Sequence, residues 1–174
     1  GVDVIEAGSP MSSDGEMKVV KAIANEGLKS EVCALARATK GDIDKAIDCD
    51  VDLIHMFIPT SPVQMKYAVN LSSDQVLSAT VNMIEYIKKH GLKCEFSPMD
   101  ATRSEMPFLK QICQAAEKSG ADMINIPDTV GIMIPKNMSK FIQEIRSAVK
   151  VPISVHCHDD FGMAVANSLA AVET

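Results

Sequence analysis

The chain alternates short apolar runs with longer segments in which apolar residues recur every three or four positions. The apolar runs predict β-strands at residues 2–7, 31–36, 51–58, 93–97 and 123–126, with a sixth strand beginning at Ile153. The amphipathic segments predict helices at residues 14–25, 42–47, 74–90, 105–119 and 136–149, and a further helix beginning near residue 163. Residues 60–71 are predicted to form a loop. No long polar linker separates these units, so residues 1–174 are interpreted as one domain.

Apolar strands that alternate with amphipathic helices indicate a parallel sheet covered by helices, either a doubly wound open sheet or a β/α barrel. No G-x-G-x-x-G motif follows the first strand, which weakens the dinucleotide-binding version of the open sheet. A barrel places reactive side chains at the C-terminal ends of several strands. Such side chains follow every predicted strand, and they are Glu6, Arg37, Thr60, Ser61, Ser97, Asp100, Asp128, Thr129, His156 and His158. This convergence favours the barrel.

Composition and charge exclude several classes of protein. The net charge is −6 and the charges are dispersed, which disfavours nucleic acid and membrane surfaces as partners. Five cysteines without C-x-x-C spacing predict neither a disulfide framework nor a zinc ribbon, and they fit a reducing cytoplasm. A small anionic substrate would need a local positive centre, such as a metal ion.

The sequence His156-Cys157-His158 ends the last predicted strand. Side chains alternate faces along a strand, so the two imidazoles project from one face and Cys157 from the other. Two imidazoles on one face can share a divalent metal ion, and Asp159 and Asp160 could orient them. The spacing alone leaves open whether this is a metal site or only a polar strand end.

Five strand ends carry a family resemblance. Residues 153–166, ISVHCHDDFGMAVA, resemble a signature of the 2-isopropylmalate synthase and homocitrate synthase family, which belongs to the metal-dependent barrel enzymes together with hydroxymethylglutaryl-CoA lyase. VIEAG at 4–8, HMFIPTS at 55–61, EFSP at 95–98 and NIPDTVG at 125–131 resemble the family's other strand ends in the same order. The resemblance covers essentially the whole chain and implies a TIM (β/α)8-type barrel.

The resemblance also implies that the barrel is incomplete. The six strands would be strands 2 to 7 of eight, and the family's L-R-D-G-x-Q motif, which supplies a metal-ligating aspartate and a catalytic arginine, is not found in this chain. The chain begins at Gly1 without an initiator Met and stops within a helical pattern, so we expect a fragment of a larger catalytic domain. We expect such a fragment to bind metal weakly and to be inactive alone, and the full-length protein to be a homodimer.

The reaction implied by the resemblance is a metal-assisted Claisen condensation of acetyl-CoA with a 2-oxo acid. It implies that His156 and His158 ligate a divalent Zn, Mn or Mg ion and that the oxo acid contacts His55, Ser97, Pro127 and Thr129. Thr129 would bond the oxo-acid carboxylate, and His55 would also be catalytic. Glu95 would repel the distal carboxylate of 2-oxoglutarate, which favours 2-oxoisovalerate or pyruvate, and of these we choose 2-oxoisovalerate and the isopropylmalate reaction of leucine biosynthesis. Met99 stands where the family usually has Glu, so either Asp100 takes over that polar role as a catalytic carboxylate or this member differs in substrate or activity.

Other interpretations remain open. The oxo acid could be that of a citramalate or homocitrate synthase, the reaction could be the carbon–carbon cleavage of a hydroxymethylglutaryl-CoA lyase, or the domain could bind metal without catalysis. Glu6 is either a structural acid or a pocket residue. Arg37 is interpreted as structural, paired with Glu6 or Asp100.

Overall fold

The six strands form one parallel sheet in sequence order. The computed structural model describes residues 1–174, and the strands are β1 (Val4–Gly8), β2 (Glu31–Arg37), β3 (Leu53–Pro59), β4 (Lys93–Met99), β5 (Met123–Asp128) and β6 (Ile153–Cys157). They pair in the order β1-β2-β3-β4-β5-β6. A doubly wound sheet reverses its strand order at a switch point, and this sheet does not. The architecture is therefore an incomplete β/α barrel, as the sequence predicted.

A helical segment follows each strand. The helices are α1 (Asp14–Ala24), α2 (Lys40–Ile47), α3 (Pro62–Gln64), α4 (Ser73–Lys89), α5 (Met106–Lys118), α6 (Pro135–Arg146) and α7 (Ala164–Val172). Hydroxyl side chains define several of their starts, because a helix leaves its first backbone N–H groups without partners. Ser13 Oγ accepts from Glu16 N at 3.0 Å, and Ser72 and Gln75 form a reciprocal capping box at the start of α4.

The two faces of the sheet have opposite characters. Outward-facing side chains of the strands, including Ile54, Phe96 and Ile126, are fully or almost fully buried against the helices. The inward face, which would line a closed barrel, carries hydrogen-bonded polar side chains at the centre of the sheet. The apolar core therefore lies between sheet and helices, while the inner face is available for chemistry.

The segment 60–71 differs from its prediction as a loop. It contains α3 followed by a π-helical turn, Met65–Val69, which ends at Asn70 in the left-handed conformation with φ 51°. The start carries a recognisable signal, since Ser61 Oγ accepts from Gln64 N and Pro62 occupies the first turn. The segment is too short for a helical period of apolar residues to stand out.

None of the helices combines the length and the apolar character that a bilayer crossing requires.

Two adjacent valines of α1 test where the core lies. Val20 is fully buried in the core, whereas Val19 is 52% exposed. We predict that Val20→Ala lowers the free energy of unfolding of the complete protein by about 2 kcal/mol, through lost burial and a residual cavity. Val19→Ala is the matched control, with the same change in helix propensity and an expected effect within about 0.5 kcal/mol. Chemical denaturation measures both, and equal losses would contradict this placement of the core.

Candidate active site

A cleft lies at the C-terminal ends of the strands. It has a volume of about 160 Å³. Its walls are formed by Leu35, His55, Phe57, Ser97, Met99, Pro127, Thr129, His156 and His158. Parallel pairing brings these side chains together, since His55 is in register with Leu35 of β2 and His156 with Pro127 of β5. Six of the eight residues predicted for the site, all except Glu95 and Asp100, line this cleft.

His156 and His158 are neighbours on one face, as the alternation predicted. Their ring centroids are 4.7 Å apart and the planes differ by 16°. The side chain of Cys157 points to the opposite face, where it interacts with Ser168 of α7, and burial raises the pKa of its thiol. The thiol is therefore separated from the two imidazoles and held in its protonated form.

The histidine pair fits part of a metal site. Desolvation and the neighbouring His158 imidazole lower the pKa of His156, which favours the neutral form that ligates a metal. Two ring nitrogens at about 2.1 Å from one ion require neighbouring imidazoles on one face, which this pair provides. No group of three or more His, Cys, Asp or Glu residues in the chain is arranged to hold an ion. These residues can therefore supply two ligands of a larger set.

The acids after the histidines shape the loop. Asp159 Oδ1 accepts from Ala164 N at 2.9 Å, at the start of α7. Asp160 packs against Gly131, which has φ +60° and where a Cβ would approach Asp160 Oδ2 to 2.5 Å. Gly131 thus allows the close contact between the loops after β5 and β6.

His55 is held on both ring nitrogens. Nδ1 lies 2.5 Å from Glu6 Oε2, and Nε2 lies 2.7 Å from Ser97 Oγ. The hydrogen bond from His55 lowers the pKa of the Glu6 carboxyl, against the opposing effect of its partial burial. Glu6 therefore accepts a hydrogen bond as a carboxylate and orients the imidazole beside the cleft.

The hydrogen bonds continue beneath the cleft floor. Ser97 Oγ donates to Asn125 Oδ1 at 2.8 Å, and Asn125 Nδ2 donates to Ser154 Oγ at 2.7 Å. Ser154 Oγ in turn donates to Glu95 Oε1 at 2.5 Å. We call this hydrogen-bonded set the inner network, and its six members are Glu6, His55, Ser97, Asn125, Ser154 and Glu95. Sequence reasoning missed Asn125 and Ser154, although each is a polar residue two positions before a cleft residue in an apolar strand.

Glu95 lies below the cleft and outside its lining. Its carboxylate is engaged by Ser154, two positions before His156 on β6. Glu95 is not among the residues that line the cleft, and its direct contact with substrate stays a prediction.

Asp100, the predicted catalytic carboxylate, also lies outside the cleft lining. Its side chain is fully buried, bonds to Arg103 and accepts from the Ser61 hydroxyl, and it does not line the cleft. Its backbone N–H donates to Thr129 Oγ1 at 2.9 Å. Because that bond uses an oxygen lone pair, the Thr129 hydroxyl keeps its own proton for a cleft ligand. Asp100 thus positions Thr129, and Met99 contributes a thioether rather than a carboxylate to the lining.

Arg37 pairs with neither residue suggested by the sequence. Its guanidinium bonds to both oxygens of Asp42, at 2.8 and 3.0 Å. Asp42 lies in the first turn of α2, only five positions along the chain, so the local partner is reached before the more distant acids of the cleft.

The whole chain, residues 1–174, matches the family model described as HMGL-like. It belongs to the HMGL-like family. Among curated relatives, it is 57% identical to 2-isopropylmalate synthase of Methanocaldococcus jannaschii over 99% of this chain and 33% of that protein. It is 51% identical to homocitrate synthase AksA of Methanopyrus kandleri, over 99% of this chain and 44% of that protein. It is 48% identical to (R)-citramalate synthase CimA of M. jannaschii, over 99% of this chain and 35% of that protein.

The match is partial on the side of the relatives. The chain spans about a third of the length of the first 2-isopropylmalate synthases that it matches, 33–35% in each case. Among solved structures, hydroxymethylglutaryl-CoA lyase from Pseudomonas aeruginosa superposes with a TM-score of 0.81, at 22% identity over 99% of this chain and 61% of that one. That likeness establishes the barrel fold and confirms that the HMGL-like chain is an incomplete piece of it.

The Glu6–His55 pair predicts a specific pH dependence. The folded-state pKa of Glu6 is lowered from 4.5, so its stabilising effect is complete above that pH and is lost as the pH falls through the lowered value. We predict that Glu6→Gln lowers the free energy of unfolding of the complete protein by about 0.5–1 kcal/mol at pH 7, a small value because the carboxylate is 44% exposed. The difference from wild type should shrink below about pH 4.5 and disappear in stronger acid.

Glu26→Gln is the control for this measurement, since Glu26 is an exposed residue beyond the end of α1. Unfolding curves at several pH values compare the two variants. A Glu6→Gln effect that grew on acidification would contradict the assignment.

Proposed function

We propose that the protein containing this chain is a 2-isopropylmalate synthase-type acyltransferase that condenses acetyl-CoA with 2-oxoisovalerate. The observation that carries the proposal is the identity of 51–57% to several 2-isopropylmalate synthases across 99% of the chain. The cleft supports it, because a pair of candidate metal ligands and a set of candidate oxo-acid contacts meet at one end of the sheet. A role in leucine biosynthesis, a cytoplasmic location and a homodimeric full-length protein are part of the same prediction.

His156 and His158 would hold the divalent ion, with the remaining ligands supplied by chain outside these residues. The bound ion would act as a Lewis acid on the keto oxygen of the oxo acid. Thr129 has a free hydroxyl proton to donate to the substrate carboxylate. Pro127 and Phe57 form an apolar wall around the rest of the substrate. His55, fixed between Glu6 and Ser97, places a polarising imidazole beside the same space.

The apolar lining favours a branched aliphatic substrate. Leu35, Phe57, Met99 and Pro127 line the cleft, and no Lys or Arg is among the lining residues. The second carboxylate of 2-oxoglutarate would meet no Lys or Arg side chain there, whereas the isopropyl group of 2-oxoisovalerate can bury its methyls. The alternatives are a citramalate or a homocitrate synthase, since relatives with both names are about half identical to this chain.

The metal assignment predicts the behaviour of two histidine variants. We expect His156→Ala and His158→Ala, each in the complete protein, to weaken divalent-metal binding by more than about 100-fold, since loss of an outer partner alone costs about 10–100-fold. His90→Ala is the matched control, because His90 is an exposed histidine at the end of α4 bonded to Tyr86 O. Metal titration followed by elemental analysis measures the effect, and full metal retention in both cleft variants would contradict the assignment.

The substrate assignment predicts an order of catalytic efficiencies. Thiol release from acetyl-CoA by the complete protein should have a kcat/KM for 2-oxoisovalerate about 10–200-fold above that for pyruvate, the usual discrimination from a missing apolar group. Activity with 2-oxoglutarate should be lower still. A preference for pyruvate would favour the citramalate reaction, and a preference for 2-oxoglutarate would favour the homocitrate reaction.

A further inference from the structure

The inner network connects two carboxylates, Glu6 and Glu95, through one imidazole, two hydroxyls and one amide. His55, Ser97 and Asn125 are 8%, 4% and 6% exposed, so their hydrogen bonds form in an environment largely shielded from water. Only His55 and Ser97 of these residues line the cleft. The other four members, Glu6, Asn125, Ser154 and Glu95, lie outside the cleft lining, and the proposed reaction assigns them no direct contact with substrate.

The direction of each hydrogen bond is determined from the Glu95 end. A carboxylate can only accept, so the Ser154 hydroxyl donates its single proton to Glu95. Ser154 must then accept from the amide group of Asn125, which turns the Asn125 carbonyl oxygen toward Ser97.

The bond between Ser97 and His55 has a determined direction as well. The Ser97 hydroxyl donates its single proton to the Asn125 carbonyl oxygen, so it has none for His55. At a separation of 2.7 Å, Nε2 of His55 must therefore donate to Ser97. Nδ1 donates to the Glu6 carboxylate at the other side of the ring.

We propose that Glu95 is a positioning residue which, through Ser154, Asn125 and Ser97, keeps a proton on Nε2 of His55. This inference rests on the proposed function for its catalytic meaning. His55 then carries a proton on both ring nitrogens. The positive charge of this imidazolium, held beside the cleft, would stabilise negative charge on a substrate oxygen. A protonated Glu95 could instead donate to Ser154, which would permit the opposite direction for every bond from Ser154 to His55 once the Asn125 amide rotated.

The groups that face His55 from each neighbouring strand are consistent with this state. Glu6 on β1 is an anion whose pKa is lowered by its bond to His55. Cys33 on β2 is a neutral thiol, since burial raises its pKa strongly. Glu95 lies on β4, and His156 on β6 is held toward its neutral form by desolvation. Among these groups, only Glu95 is connected to Nε2 by the hydrogen bonds of Ser154, Asn125 and Ser97.

The test uses a pair of variants of the same shape in the complete protein. Ser154→Thr keeps the hydroxyl, whereas Ser154→Val replaces it with a methyl and interrupts the network. Thr80→Val is a further control, because the buried Thr80 hydroxyl bonds only to Val76 O within α4. Nitrogen-15 NMR of histidine-labelled protein, with His55→Gln to assign the signal, reports whether Nε2 carries a proton at neutral pH.

We expect a protonated Nε2 in the wild type, in Ser154→Thr and in Thr80→Val, and loss of that proton in Ser154→Val. Glu95→Gln should also reduce the protonation of Nε2. An amide can donate to Ser154 as well as accept from it, so it no longer determines the direction of the hydrogen bonds in the network. In the kinetic assay, kcat should fall about tenfold in Ser154→Val and stay close to the wild-type value in Ser154→Thr. This loss is smaller than that caused by removing a donor that contacts substrate directly.

An unchanged His55 signal in both Ser154→Val and Glu95→Gln would overturn the proposal, whatever the activity. The NMR comparison does not depend on turnover. Absence of condensation activity would therefore count against the proposed function, while the protonation of His55 would still decide the role of Glu95.

Discussion

Side chains on a parallel strand alternate between two faces, and the function of this chain depends on how its sequence divides them. Ile54, Phe96 and Ile126 face the helices and supply the core. The intervening positions on the other face carry imidazole, hydroxyl, amide and carboxylate groups. A shift of one residue in any central strand would exchange the faces, so the same constraint maintains the core and assembles the cleft.

Polar groups in a barrel interior require partners, because each buried unsatisfied group costs about 1–3 kcal/mol. The inner network meets this requirement for His55, Ser97 and Asn125, whose bonds to one another and to Glu6 and Ser154 range from 2.5 to 2.8 Å. A fully bonded buried network is also rigid, since alternative rotamers would leave some members without partners. The arrangement that stabilises the sheet therefore also fixes the orientation of the cleft imidazole.

The strands and most helix boundaries could be predicted from the hydrophobic pattern, because apolar runs and capping residues are local signals. The order of the strands followed from the polar strand ends and the family resemblance, which favoured the barrel over an open sheet. The facing pair of His156 and His158 followed from strand alternation alone. The partner of Arg37 did not follow, since choosing Asp42 over the acids of the cleft depends on the turn into α2. Burial of Asp100 and the connection from Ser154 to Glu95 depend on how neighbouring strands are placed, which no local pattern specifies.

The HMGL-like chain carries two candidate metal ligands, a set of candidate oxo-acid contacts and the network beneath them, and the central claim is that these act together at one site. A crystal structure of the complete protein with Mn²⁺ and 2-oxoisovalerate tests this most directly. We predict an anomalous peak for the ion bound by both His156 and His158, with the oxo-acid carboxylate within hydrogen-bond distance of the Thr129 hydroxyl. An ion bound without these histidines, or an oxo acid bound away from the cleft, would contradict it.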